Sequence, residues 1–145
     1  MSKQHFRAFV VLFVTALTAH AGDGATSKIE LQRLYRQFFQ QKDEIGLRTL
    51  VYWRGVGEQD KNGFLRSLSE DFKYRLQDIQ FLPLKRDEDL EYTLKGVTYV
   101  PALLPVGRMI ITYQSQENVH HLSTSYLIGI DDGKYYIDLA VKKTK

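Results

Sequence analysis

The closing third of the chain leaves little freedom in how it folds. Arg108–Gln114, Val119–Ile130 and Lys134–Val141 alternate apolar with polar residues and are rich in β-branched and aromatic side chains, the period-two pattern of half-buried strands. Asp131-Asp132-Gly133 separates the last two segments. A three-residue loop there would set Tyr126 and Ile128 on the face of Tyr136 and Asp138. A two-residue turn at Asp132-Gly133 instead pairs Ile130 with Tyr135 and Ile128 with Ile137. The second register gathers the apolar residues on one side, and Asp-Gly favours the positive φ angles such a turn needs, so it is the expected one. A similar turn at Glu117-Asn118 pairs Tyr113 with Leu122 and Met109 with Tyr126.

One face of the sheet then carries Met109, Ile111, Tyr113, Thr124, Tyr126, Ile128, Tyr135 and Ile137. The other carries Arg108, Thr112, Ser123, Ser125, Tyr136 and Asp138. A sheet apolar on one side requires a second layer over that side, and the preceding residues supply it. Ser27-Lys28-Ile29-Glu30 has the form of a capping box. Leu31, Leu34, Tyr35, Phe38 and Phe39 follow at helical spacing to about Gln41. Asp43 caps a second, shorter helix expected to run to about Trp53 and weakened by Gly46. A third helix follows Asp60, with Phe64, Leu65, Leu68 and Phe72 as its stripe. Beyond it, Leu76, Ile79 and Phe81 lead to Pro83, which marks an edge strand. Lys85–Asp89 is a charged loop, and Leu90–Val100 reads as one strand. Pro101–Pro105 (PALLP) reads as a crossover outside any sheet.

Residues 1–21 have a different character. Lys3 and Arg7 precede the apolar run Ala8–Thr18, and Ala19-His20-Ala21 follows as a small-x-small site. The run is shorter than the roughly 20 residues that span a bilayer, so the pattern is that of a cleavable signal peptide. The expected organisation is a signal peptide at 1–21, a flexible leader at 22–27 and a single domain at 28–145, exported to the periplasm or the cell exterior after cleavage near Ala21. No integral membrane segment is expected after cleavage. Lys3 and Arg7 leave with the signal peptide, so the full chain's 20 Lys plus Arg against 17 Asp plus Glu become a near balance. A near-neutral domain has no electrostatic footprint for nucleic acid. The absence of cysteine rules out disulfide staples, thiol catalysis and thiolate metal sites.

Helices first, a charged crossover, then long antiparallel strands ending in an Asp-Gly hairpin: the order resembles the nuclear-transport-factor-2-like superfamily, the cystatin-like or cone-shaped α+β fold. The likeness runs from Ile29 to about Lys142. It includes Gly96-Val97-Thr98-Tyr99-Val100-Pro101 through Val106-Gly107, and Tyr126 through Ile137 around Asp132-Gly133. It implies N-terminal helices packed on a strongly curved antiparallel sheet, with a pocket at the open end. Members include isomerases, dehydratases, polyketide cyclases, transport adaptors and exported domains without known activity.

Within that frame, Tyr35, Trp53, Met109, Tyr113, Thr124, Tyr126 and Tyr135 are the candidate pocket lining. Aromatics with a few hydroxyl donors suit a small, mostly apolar ligand, while the same residues also read as ordinary core packing. Catalysis of the ketosteroid-isomerase kind needs a carboxylate base in the pocket. Asp138 falls on the outer face, and a base would have to come from the helices or Glu91. His120 and His121 are adjacent on a strand and point to opposite faces, so neither a metal site nor a cofactor is expected. The expected role is non-catalytic binding of a small apolar ligand or a protein partner, with a homodimer through the outer sheet face. Two alternatives stand beside it: a pocket isomerase or dehydratase, and an envelope protein with a structural or inhibitory role.

Overall fold

A computed structural model describes residues 23–115 and 121–144. The expected signal peptide, the expected Glu117-Asn118 turn and His120 lie outside the described residues, and of His121 only the backbone is described. Three helices precede most of the strands. They are α1 (Lys28–Gln40), α2 (Glu44–Thr49) and α3 (Glu58–Asp71). The strands are β1 (Val51–Tyr52), β2 (Arg75–Leu82), β3 (Tyr92–Leu94), β4 (Val97–Pro101), β5 (Leu104–Gln114), β6 (His121–Asp131), β7 (Lys134–Asp138) and β8 (Ala140–Lys142). They form a five-stranded sheet in the order β1-β7-β6-β5-β2 and a three-stranded sheet in the order β3-β4-β8. The architecture is mixed α+β, and every pairing is antiparallel except that of β1 with β7.

The registers expected for the C-terminal strands hold. Ile130 faces Tyr135 and Ile128 faces Ile137, and Asp132 and Gly133 take the positive φ angles of 45° and 72° that a tight two-residue hairpin needs. Tyr113 faces Leu122 and Met109 faces Tyr126. β2 is an edge strand and stops just before Pro83.

Caps set the helix starts. The Ser27 hydroxyl accepts from the Glu30 N–H at 3.0 Å, half of the expected box. The Glu30 carboxylate turns instead to the Thr26 N–H and hydroxyl, which pull its pKa below the ordinary value. Asp43 caps α2 by accepting from the Gly46 N–H at 2.9 Å. Gly46 does more than weaken that helix. A Cβ there would lie 2.5 Å from the Phe38 ring, so its absence lets α2 come close to α1.

Four expectations are corrected. The second helix ends at Thr49 and not near Trp53. Val51 and Tyr52 prefer extended backbone and pair with Ile137 and Asp138 as β1. Leu90–Val100 is a hairpin, turned at Lys95 and Gly96 with φ angles of 50° and 77°. Lys134–Val141 is broken at Leu139, so its first half joins the large sheet and its second half the small one. Finally, PALLP is mostly strand. Pro101 closes β4 opposite Ala140, and Leu104 and Pro105 open β5 opposite Ile130 and Gly129. Both prolines sit where a ladder tolerates a missing N–H, one at a strand end and one at the bulge before Gly107. Between them the Ala102 and Leu103 N–H groups donate to the Asp138 carboxylate at 3.0 and 3.1 Å. Asp138 is on the outer face as expected, yet it is buried. Burial raises its pKa, and those two N–H donors oppose the shift.

The core lies between α1 and the large sheet. Leu31, Tyr35 and Phe39, one turn apart, pack with Ile79 of β2, Met109, Ile111 and Tyr113 of β5, and Ile128 and Ile137 of β6 and β7.

Candidate functional site

The residues expected to line a pocket are distributed through that core. Tyr35, Met109 and Tyr113 are at most 1 % exposed. The Tyr35 and Tyr113 hydroxyls are hydrogen-bonded at 3.0 Å, and the Tyr126 phenol lies within electrostatic reach of both. Burial pushes all three phenols far above their usual ionisation range, each is also raised by the Asp71 carboxylate, and Tyr35 and Tyr126 in addition by neighbouring phenols. Asp71, at the end of α3, is itself raised, first by burial and then by Glu70. Trp53 donates its indole N–H to the Arg48 carbonyl at 2.8 Å and sets its ring edge-on to Phe64. Thr124 pairs with Ile111. Tyr135 exchanges two backbone hydrogen bonds with Ala25. Thr124 and Tyr135 are both partly buried. Among the described residues, no buried side-chain nitrogen or oxygen lacks a partner.

Open space lies elsewhere, between α3 and the small sheet. The register Tyr92–Tyr99 and Leu94–Val97 puts these four side chains on one face of the β3–β4 hairpin, while Thr93 and Thr98 share the other. The Tyr92 and Tyr99 rings stack at 5.2 Å and 11°. Opposite stands α3, which contributes Asp60, Gly63, Phe64, Arg66, Ser67 and Glu70. The two walls flank an open groove of 830 Å³, which Lys95 and Lys142 also line. A smaller recess of 190 Å³ shares Asp60, Phe64, Leu94 and Tyr99 with it and is lined as well by Tyr92, Leu139 and Ala140. Tyr92 and Leu94 remain 51 % and 56 % exposed, and a Cβ at Gly63 would meet nothing within 4 Å.

A second hollow, of 280 Å³, lies where the end of α1 meets the start of β2. Phe39, Gln40 and Lys42 line one side, and Phe72, Lys73, Tyr74, Arg75 and Leu76 the other. Among the described residues, no three His, Asp or Glu side chains gather as a metal site, and no helix is long and apolar enough to cross a membrane.

The groove depends on the turn at Lys95-Gly96, which a single strand over Leu90–Val100 does not contain. On a single strand, Tyr92, Leu94, Val97 and Tyr99 would not face one another. Of the stripe Phe64, Leu65, Leu68 and Phe72, Leu68 alone is fully buried. The available signal was the glycine between two alternating aromatic-aliphatic pairs. Lysine, unlike Asn or Asp, does not announce positive φ.

Comparison with known proteins found no matching family model, curated protein or solved structure.

Proposed function

We propose that this is an exported, non-catalytic binding domain that takes a small, mostly apolar ligand in the groove between α3 and β3–β4–β8. The observation that carries the reading is the unfilled space between two walls that elsewhere in the molecule would have closed on each other. A concave site of 830 Å³ falls within the range of about 300–1,000 Å³ usual for small-molecule pockets. Phe64, Leu94, Val97 and Tyr99 give it apolar surface for such a ligand, beside the polar side chains of Asp60, Arg66, Ser67, Glu70, Lys95 and Lys142. Export rests on the basic, apolar and small-x-small order of residues 1–21. The cone-shaped fold rests on the resemblance in element order, to which the helical layer over an antiparallel sheet adds support. Titration with Nile red tests the binding reading. Saturable binding is expected, weakened in Tyr92→Ala and Leu94→Ala, whereas binding that is absent or indifferent to both substitutions refutes it.

One observation favours a second reading, a pocket enzyme of the isomerase or dehydratase type. The half-buried Asp71 carboxylate, its pKa raised mainly by burial, stands within electrostatic reach of three phenols, the kind of acid–hydroxyl cluster proton transfer uses. The enzyme reading expects turnover of an enolisable ketone or a β-hydroxy acid thioester by the wild-type protein, lost in Asp71→Asn. No turnover of either class by the folded protein counts against it.

A further inference from the structure

The hollow at the end of α1 has a charge pattern that the groove lacks. Phe39, Phe72 and Leu76 form its apolar floor, with the Phe39 and Phe72 rings 5.3 Å apart. Around this floor stand Lys42, Lys73 and Arg75, and no acidic residue lines the space. The carboxylates that neighbour its lining in sequence belong to other arrangements. Asp43 caps α2 through the Gly46 N–H, and Asp71, which feels the charge of Lys73, lies outside the lining. Lys73 sits 5.0 Å from the centre of the Tyr74 ring. Arg75 donates one guanidinium nitrogen to Gln114 and has further N–H donors for a second acceptor.

From this arrangement we infer that the hollow is a second binding site, for a small amphipathic organic anion: a carboxylate on a short alkyl chain. The chain lies on Phe39, Phe72 and Leu76, and the carboxylate is held by Lys42 and Arg75, with Lys73 adding to the positive field. Arginine suits this role because its planar fork meets a carboxylate with paired hydrogen bonds. At 280 Å³ the space sits at the low end for ligand pockets, which selects a short chain. The inference does not depend on the groove, since the two sites share no lining residue.

Octanoate, octan-1-ol and octylamine are the probes, with binding followed by amide chemical shifts so that the site is located as well as detected. Octanoate is expected to shift residues 39–42 and 72–76 saturably, more weakly as salt rises, and to bind at least about tenfold tighter than octanol. Octylamine should not bind there. Lys42→Gln/Arg75→Gln, both at exposed positions, should remove the preference for octanoate while Tyr99→Ala leaves it intact. Equal binding of octanoate and octanol overturns the inference, as does an unaffected double variant. Shifts confined to the groove, or none up to the solubility of octanoate, overturn it equally.

Discussion

Two places where a helix faces a sheet have opposite outcomes in this molecule. Over the large sheet, α1 presents Leu31, Tyr35 and Phe39 to Met109, Ile111 and Tyr113, and the space between them is closed. Over the small sheet, α3 presents Asp60, Gly63, Arg66, Ser67 and Glu70 around the single ring of Phe64, and the space stays open. The strands do not account for the contrast, because Tyr92, Leu94, Val97 and Tyr99 are as bulky as the residues β5 supplies. It lies in the helices. A helix with a full apolar stripe collapses onto its sheet, whereas one with a glycine and charged side chains at the facing positions cannot fill the gap. A seam held open in this way exposes apolar surface that a ligand can cover.

The largest expected test of this contrast is truncation on each side. Tyr113→Ala, deep in the closed seam, should cost about 3–5 kcal/mol of stability, as removal of a large buried aromatic generally does. Tyr92→Ala, half exposed beside the groove, should cost about 0.2–1 kcal/mol, the range of one cross-strand pair. Equal losses in chemical denaturation would abolish the distinction.

Next in size is the phenol cluster. Tyr35→Phe leaves the buried Tyr113 hydroxyl short of its partner and should cost about 1–3 kcal/mol. The folded-state pKa values of the three phenols lie above the unfolded value of about 10. Their contribution is therefore fully present below that pH and lost as pH rises beyond it. Absorbance near the tyrosinate band should show these three ionising only together with alkaline unfolding. Early ionisation of all nine tyrosines would mean that the cluster is wet.

On the open side, Gly63→Ala should stabilise the protein by about 0.5–1 kcal/mol, since it improves helix propensity and its Cβ meets nothing. A lower melting temperature would show that the groove closes in solution.

The smallest effect concerns the Lys85–Asp89 loop. Arg108 on the outer sheet face reaches Glu88, with its Nε at 2.8 Å. That hydrogen bond, more than any other contact, holds the Glu88 pKa below the ordinary carboxylate value. The tether is thus complete above about pH 4.3, the unfolded value, and is lost as pH falls through the lowered folded one. Amide exchange over residues 85–88 should accelerate there in the wild type and be uniformly fast in Glu88→Gln.

The legible parts of this fold were those governed by periodicity and by Asp-Gly. The register from Met109 to Ile137, the stripe of α1 and the Ser27 and Asp43 caps all follow from local chemistry, and each is present. The short-range switches were not legible. β1 pairs two residues across a long sequence distance, the break at Leu139 passes the chain from one sheet to the other, and Lys95-Gly96 turns a chain in which Gly96 is the one local sign of a turn. The candidate residues suffered from the same limit. Tyr35, Tyr113 and Tyr126 read equally well as core or as pocket, because alternation shows which face a residue occupies and not whether the facing helix fills the space. That depends on α3, where Gly63 and its charged neighbours record the answer only once the hairpin of β3 and β4 is placed opposite them.

The most direct test of the open seam is a Nile red titration of the wild-type protein and of Gly63→Leu, side by side, with the thermal stability of both measured. If the groove is the binding site, the added side chain occupies it, and Gly63→Leu loses binding while melting no lower than the wild type. Undiminished binding by a folded Gly63→Leu protein would contradict the account and place the ligand elsewhere on the molecule.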